Sequence, residues 1–213
     1  MIEPRANLAP EGLPYIAFSF LATLTFACLE WWLLAVPCLV LSGLVLNFFR
    51  DPERVVPRDP GVAVAPADGK VVYVGRARDP LSGEDRERVS IFMNVFNVHV
   101  NRMPVTATVR EIRYHPGRFI NASLDKASEN NERCAIGMTD ENGEHWTAVQ
   151  IAGLVARRIV LRAEEGDELS RGLRFGMIKF GSRVDLYMPA NYSSTLRIGD
   201  KTVAGQTIVA RKK

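Results

Sequence analysis

Between residues 13 and 49 the chain carries a single charged side chain, Glu30, and this constrains its folding more than any other feature. Pro37 interrupts the run, which divides at Glu30-Trp31-Trp32 into halves of about 16 to 19 residues. Such lengths lie at the lower edge of the roughly 17 to 25 residues that span a bilayer. A helical hairpin is preferred over a shallow re-entrant pair or one long tilted helix. Trp31 and Trp32 then sit at an interface beside Glu30, while Arg5, Arg50, Arg54 and Arg58 flank the outer ends. By the positive-inside tendency both ends face the cytoplasm. A cleaved signal peptide would be shorter and end in small residues, whereas this segment exits through Asn47-Phe48-Phe49-Arg50. A soluble helix pair would show a polar face, and none is present.

Arg50-Asp51-Pro52-Glu53-Arg54, followed by Pro57, Asp59 and Pro60, cannot continue a helix. Beyond it the texture changes to short β-patterned runs at 62–65, 70–74, 89–100, 105–114, 134–139, 146–152, 155–162, 177–180, 184–188 and 202–210. Turns are signalled by Asp68-Gly69, Glu141-Asn142-Gly143-Glu144, Glu165-Gly166-Asp167 and Ile198-Gly199-Asp200. The stretch 124–129 reads as a helical turn or an active-site loop. The expected organisation is a membrane-associated helical hairpin over 1–49, a linker over 50–62 and a β-rich domain over 63–213. The fold class is mainly β, a barrel-sandwich-like domain behind an N-terminal hydrophobic helical anchor. Segments such as Gly199-Asp200-Lys201-Thr202-Val203 resemble turns of lipoyl- or biotinyl-type domains. No Met-Lys-Met carrier sequence is present, so a non-enzymatic lipoyl-like carrier or adaptor module is the alternative reading.

The charge balance narrows the partners. A net charge of +3, from 27 basic and 24 acidic residues, suits proximity to anionic lipid but is no nucleic-acid footprint. Cys28, Cys38 and Cys134 are odd in number with no CxxC spacing, which supports neither a disulfide framework nor a metal site. Of three histidines, His145 follows a polar turn, His115 opens the turn His115-Pro116-Gly117-Arg118-Phe119, and His99 lies in an apolar and amide-rich run ending at Met103-Pro104. A lone buried histidine is ordinarily structural. Asp68-Gly69 and Gly181-Ser182 are, taken singly, ordinary turn pairs.

In combination these motifs resemble phosphatidylserine decarboxylase, in particular its short bacterial and archaeal proenzyme form. The resemblance runs through Phe48-Phe49-Arg50-Asp51-Pro52, Pro66-Ala67-Asp68-Gly69, the His99 run to Met103-Pro104, His115-Pro116-Gly117-Arg118-Phe119 to Asn131-Glu132-Arg133, and Phe180-Gly181-Ser182. It implies autocatalytic serinolysis between Gly181 and Ser182, a covalent pyruvoyl cofactor derived from Ser182, and a heterodimer of the processed α and β chains, alone or in a higher oligomer. The substrate implied is phosphatidylserine in the cell membrane, approached from its cytoplasmic face. The pyruvoyl carbonyl would be the electron sink when CO2 departs, so that phosphatidylethanolamine is the product. A serine hydroxyl needs a base, commonly a histidine oriented by a carboxylate, and Ser182, His99 and Asp68 supply these types. Longer members resemble His-x-x-His-Met-Pro, but here Arg102 stands in the second place. Either His99 serves both reactions or His115 takes one of them. Arg183, Arg118, Lys126 and Arg133 are candidates for the substrate's phosphate or carboxylate.

Overall fold

The structure is a computed structural model that describes residues 7–117, 131–153, 158–179 and 182–213. It divides into two compact units, Met1–Glu53 and Arg54–Lys213.

In the first unit a short 3-10 turn, Pro10–Gly12, leads into α1 (Leu13–Cys28), and α2 (Trp32–Phe48) returns antiparallel to it. The reversal uses Glu30 at φ 61°, a conformation uncommon for a side-chain-bearing residue. Midway, Thr23 Oγ1 and Ser42 Oγ lie 3.2 Å apart, and each hydroxyl also reaches the carbonyl four residues back, Ser19 O and Cys38 O, both at 2.9 Å, so the polar groups in these apolar helices are satisfied. The hairpin's open end is closed by Ala9 N–H donating to Phe49 O and by the Tyr15–Phe49 ring stack. Its outer surface is apolar, with Leu33 89% and Phe18 75% exposed. Residues Pro10–Cys28 are long and apolar enough to cross a membrane, whereas α2 has 17 residues and is shorter.

The second unit is mainly β. In chain order its strands are β1 (Val62–Val64), β2 (Gly69–Arg78), β3 (Asp85–Met93), β4 (Val100–Arg102), β5 (Ala107–His115), β6 (Arg133–Asp140), β7 (His145–Ala152), β8 (Ile159–Leu161), β9 (Glu168–Leu169), β10 (Arg174–Ile178), β11 (Ser182–Met188), β12 (Tyr192–Ser194), β13 (Lys201–Thr202) and β14 (Ile208–Lys212). Eight of them form a curled sheet in the order β13-β2-β3-β11-β7-β6-β5-β9, beside two three-stranded sheets, β1-β14-β12 and β4-β10-β8. Among the described residues every pairing is antiparallel.

Alternation along β11 decides what faces the core. Val184, Leu186 and Met188 join the main hydrophobic cluster with Ile91, Met93, Trp146 and Ala148, while Tyr187 joins a smaller cluster with Val149 and Ile151. Ser182 shares the core-facing parity. Two sequence-predicted runs are each broken in two. The run 89–100 is cut by a turn between β3 and β4, and the run 202–210 by a turn that separates β13 from β14. The loop expected at 124–129 lies outside the described residues.

Candidate active site

Antiparallel order brings several candidate residues to one end of the large sheet. β2 begins there at Gly69, β3 ends at Met93, β11 begins at Ser182, β7 ends at Ala152, β6 begins at Arg133 and β5 ends at His115. The register ties them in a row: Ser182 pairs with Met93 on one side and Ala152 on the other, and Arg133 pairs with His115. Ser182 is fully buried, and its Oγ lies 3.9 Å from Met93 Sδ. A thioether is a weak acceptor, so this hydroxyl is enclosed but only loosely held.

His99 immediately precedes β4, in the β4-β10-β8 sheet. Ile178 N–H donates to His99 O at 3.3 Å, and Met177 pairs with Val100, so the histidine stands beside the strand that leads toward Ser182. Its ring is fully buried, with Nδ1 2.9 Å from Asn97 O. A carbonyl only accepts, so Nδ1 carries the proton and Nε2 the lone pair when the ring is neutral.

Asp68 Oδ2 accepts from Arg54 Nη2 at 2.9 Å and Oδ1 from Ala204 N–H at 2.7 Å. The Asn94–Asn97 turn supplies the acceptor for Nδ1 of the His99 ring. Asp68 precedes Gly69, which packs against β3. A Cβ on Gly69 would meet Phe92 O at 2.2 Å, so only glycine permits that approach.

The other sequence candidates separate. His115 is three strands from Ser182, about 14 Å along the sheet at about 4.8 Å per strand. His145 begins β7 at the opposite end. Arg183 is fully buried, and strand alternation turns it away from the Ser182 face; its Nε and Nη2 fork onto Asp185 at 2.6 and 2.9 Å. Arg102, which stands where longer relatives resemble a second histidine, is buried, and its Nη1 donates to Gly172 O at 3.0 Å. Arg118, Lys126 and Gly181 lie outside the described residues.

An amide pair escaped the sequence reading. Asn101 and Gln150 are fully buried; Gln150 Nε2 donates to Asn101 Oδ1 at 2.8 Å, and Asn101 Nδ2 lies 3.8 Å from the same Met93 sulfur that meets Ser182. The signal was present in β7, where Gln150 interrupts the core-facing series Trp146, Ala148 and Ala152. Burial pushes the Cys134 thiol up to about 11, so it stays protonated near neutrality and is a poor nucleophile. Among the described residues no group of three His, Cys, Asp or Glu could hold a metal ion.

The fold and site together define a class: a mainly β domain with a fully buried serine at the start of a central strand and a fully buried histidine whose Nδ1 faces a backbone carbonyl. Comparison with known sequences narrows this to a family. The family model described as phosphatidylserine decarboxylase matches residues 41–210. The chain is 58% identical over 212 residues to the phosphatidylserine decarboxylase proenzyme of Nitratidesulfovibrio vulgaris, covering 100% of this chain and 98% of the relative. It is 48% identical to that of Nitrosomonas europaea, with 97% and 96% covered, and 46% identical to that of Neisseria gonorrhoeae, with 99% and 81% covered. The chain belongs to the phosphatidylserine decarboxylase family and is an enzyme of the decarboxylase class. The non-enzymatic carrier alternative is thereby set aside.

Proposed function

We propose that this chain decarboxylates phosphatidylserine to phosphatidylethanolamine and CO2, using a pyruvoyl group made from its own Ser182. The observation that carries the reading is the enclosure of Ser182. Ser182 is fully buried, and covalent connectivity makes the carbonyl of Gly181 the electrophile nearest in sequence to its hydroxyl. The relatives' description as proenzymes supports the same reading.

In the processing reaction Ser182 Oγ attacks the Gly181 carbonyl, the peptide C–N bond breaks, and an ester forms. Loss of the Ser182 α-proton expels the Gly181 carboxylate. The dehydroalanine that remains tautomerises and takes up water, losing ammonia. His99 Nε2 is the base this requires, because Nδ1–H is spent on Asn97 O. Asp68 acts at one remove, pinning the bend before β2 through Arg54 and Ala204. His115, three strands away, takes no proton, and Arg183 is structural through Asp185. Arg133, together with Arg118 and Lys126, is the candidate set for the lipid phosphate.

The surroundings of position 182 fit a pyruvoyl group. They comprise Met93, Ala152 and the neutral Asn101–Gln150 pair, with no charge facing Ser182 among these. Once formed, the group supplies a carbonyl for the lipid amine and an electron sink for decarboxylation. Protonated His99 then returns a proton to the substrate α-carbon. The products of processing, 1–181 and 182–213, stay together through backbone ladders, since β11 pairs with β3 and β7, β13 with β2, and β14 with β1. Sodium borohydride is expected to abolish activity while adding two hydrogens to the fragment that begins at residue 182. An active protein unaffected by borohydride would exclude a carbonyl cofactor.

The apolar hairpin surface supports attachment to the cell membrane, with the flanking arginines favouring the cytoplasmic face. Removing residues 1–49 is expected to leave processing intact, because the catalytic unit is compact by itself. Turnover of lipid in vesicles should fall at least tenfold relative to the full chain. Equal turnover by the two would show that the hairpin is not the anchor.

A further inference from the structure

The turn between β3 and β4 presents an apolar tip. Val95 and Phe96 are 44% and 63% exposed, and they are neighbours in sequence, whereas Val55, Tyr114 and Ile198 stand singly. The turn cannot easily fold them inward. Asn97 Oδ1 accepts Asn94 N–H at 2.9 Å, Asn94 Oδ1 accepts Phe96 N–H at 2.9 Å, and Asn94 O accepts Asn97 N–H at 3.0 Å. From Val89 to Asn101 the sequence contains no Asp, Glu, Lys or Arg, so no full charge on this stretch opposes entry into an apolar medium.

Both flanks of the turn belong to the site. Met93 touches Ser182 Oγ, and Asn97 O holds the His99 ring. Three extended residues span at most about 11 Å, so the Phe96 backbone lies within about that distance of Met93 and of His99. Each headgroup layer of a bilayer is about 5 to 8 Å thick. A tip at the acyl boundary would therefore set Ser182 and His99 near the level of the lipid headgroups.

We propose that the Val95-Phe96 turn inserts into the phospholipid bilayer and docks the catalytic unit on it. The proposal rests on the lipid-decarboxylase reading, which supplies a bilayer-resident substrate. Two side chains are too few for a protein interface of about 1,000 Å², whereas attachment to a lipid surface has no such minimum and scales with the apolar area buried, here added to that of the hairpin.

The test uses the full chain with Cys28 and Cys38 changed to Ser, in phosphatidylcholine–phosphatidylserine vesicles carrying a nitroxide on the acyl chain near the headgroup. An environment-sensitive dye is placed on Phe96→Cys or, at the opposite end of the sheet, on Asn142→Cys. Quenching at 96 is expected to exceed that at 142 at least twofold; equal quenching overturns the proposal, including in favour of a protein partner. In parallel, Val95→Ser/Phe96→Ser is expected to raise the vesicle lipid needed for half-maximal rate about tenfold, the loss expected from withdrawing an aromatic side chain from apolar surroundings. Its kcat/KM on monomeric short-chain phosphatidylserine should stay within twofold of wild type. Equal losses on both substrates would also overturn the proposal. Were wild type inactive on both lipids, the decarboxylase reading would fail, and the quenching comparison would still decide the docking.

Discussion

Ser182→Ala is expected to yield one uncleaved chain with no detectable decarboxylase activity. Alanine removes the attacking oxygen and the atom from which the cofactor is built, so both reactions stop together. The fold should hardly notice. Ser182 Oγ meets only a weak acceptor, Met93 Sδ at 3.9 Å, so its loss costs no more than about 1 kcal/mol. The backbone pairs of residue 182 with Met93 and Ala152 need no side chain. Intact mass, thermal melting and phosphatidylethanolamine formation would be read on the same preparation. An uncleaved variant with wild-type melting and no product separates chemistry from stability, whereas cleavage of the alanine variant would place the nucleophile elsewhere.

His99→Gln is the second large effect expected. General-base catalysis contributes typically 10² to 10⁴, and processing should slow by about that factor, as followed by the appearance of the fragment beginning at 182. Glutamine fills much of the imidazole's volume in a fully buried site and can still donate to Asn97 O, which limits the cavity that alanine would leave. His115→Ala is the control. Lying three strands from Ser182, it should process at a rate within a few-fold of wild type, and a severe defect there would move the proton transfer to His115.

Particular residues show how far the sequence could be read. The isolated charge at Glu30 and the proline at 37 mark two helical halves, and the structure reverses the chain at Glu30 itself. Strand patterning was legible because one face of most strands is buried and period-2 alternation survives in the sequence. The run 89–100 read as one strand because β-branched and aromatic residues recur along its whole length, with Asn94 and Asn97 between them. The break comes from Asn94 and Asn97 side chains bonding their own backbone, a local competition that apolar patterning ignores. Ser182 looked like a turn residue, yet it opens a central strand, because its neighbours are set by β3 and β7 far away in sequence. Arg183 could have been separated from the site by parity alone, since adjacent strand residues face opposite ways. The Asp68 contacts could not. Arg54 and Ala204 are 14 and 136 residues away, and nothing local announces either.

Mass spectrometry of the wild-type chain, purified without added substrate, tests the central claim most directly. Two fragments should appear, one ending at Gly181 and one covering 182–213, the latter lighter by one ammonia than its serine-initiated form and blocked to Edman degradation. A single intact chain that nevertheless converts phosphatidylserine to phosphatidylethanolamine would contradict the mechanism.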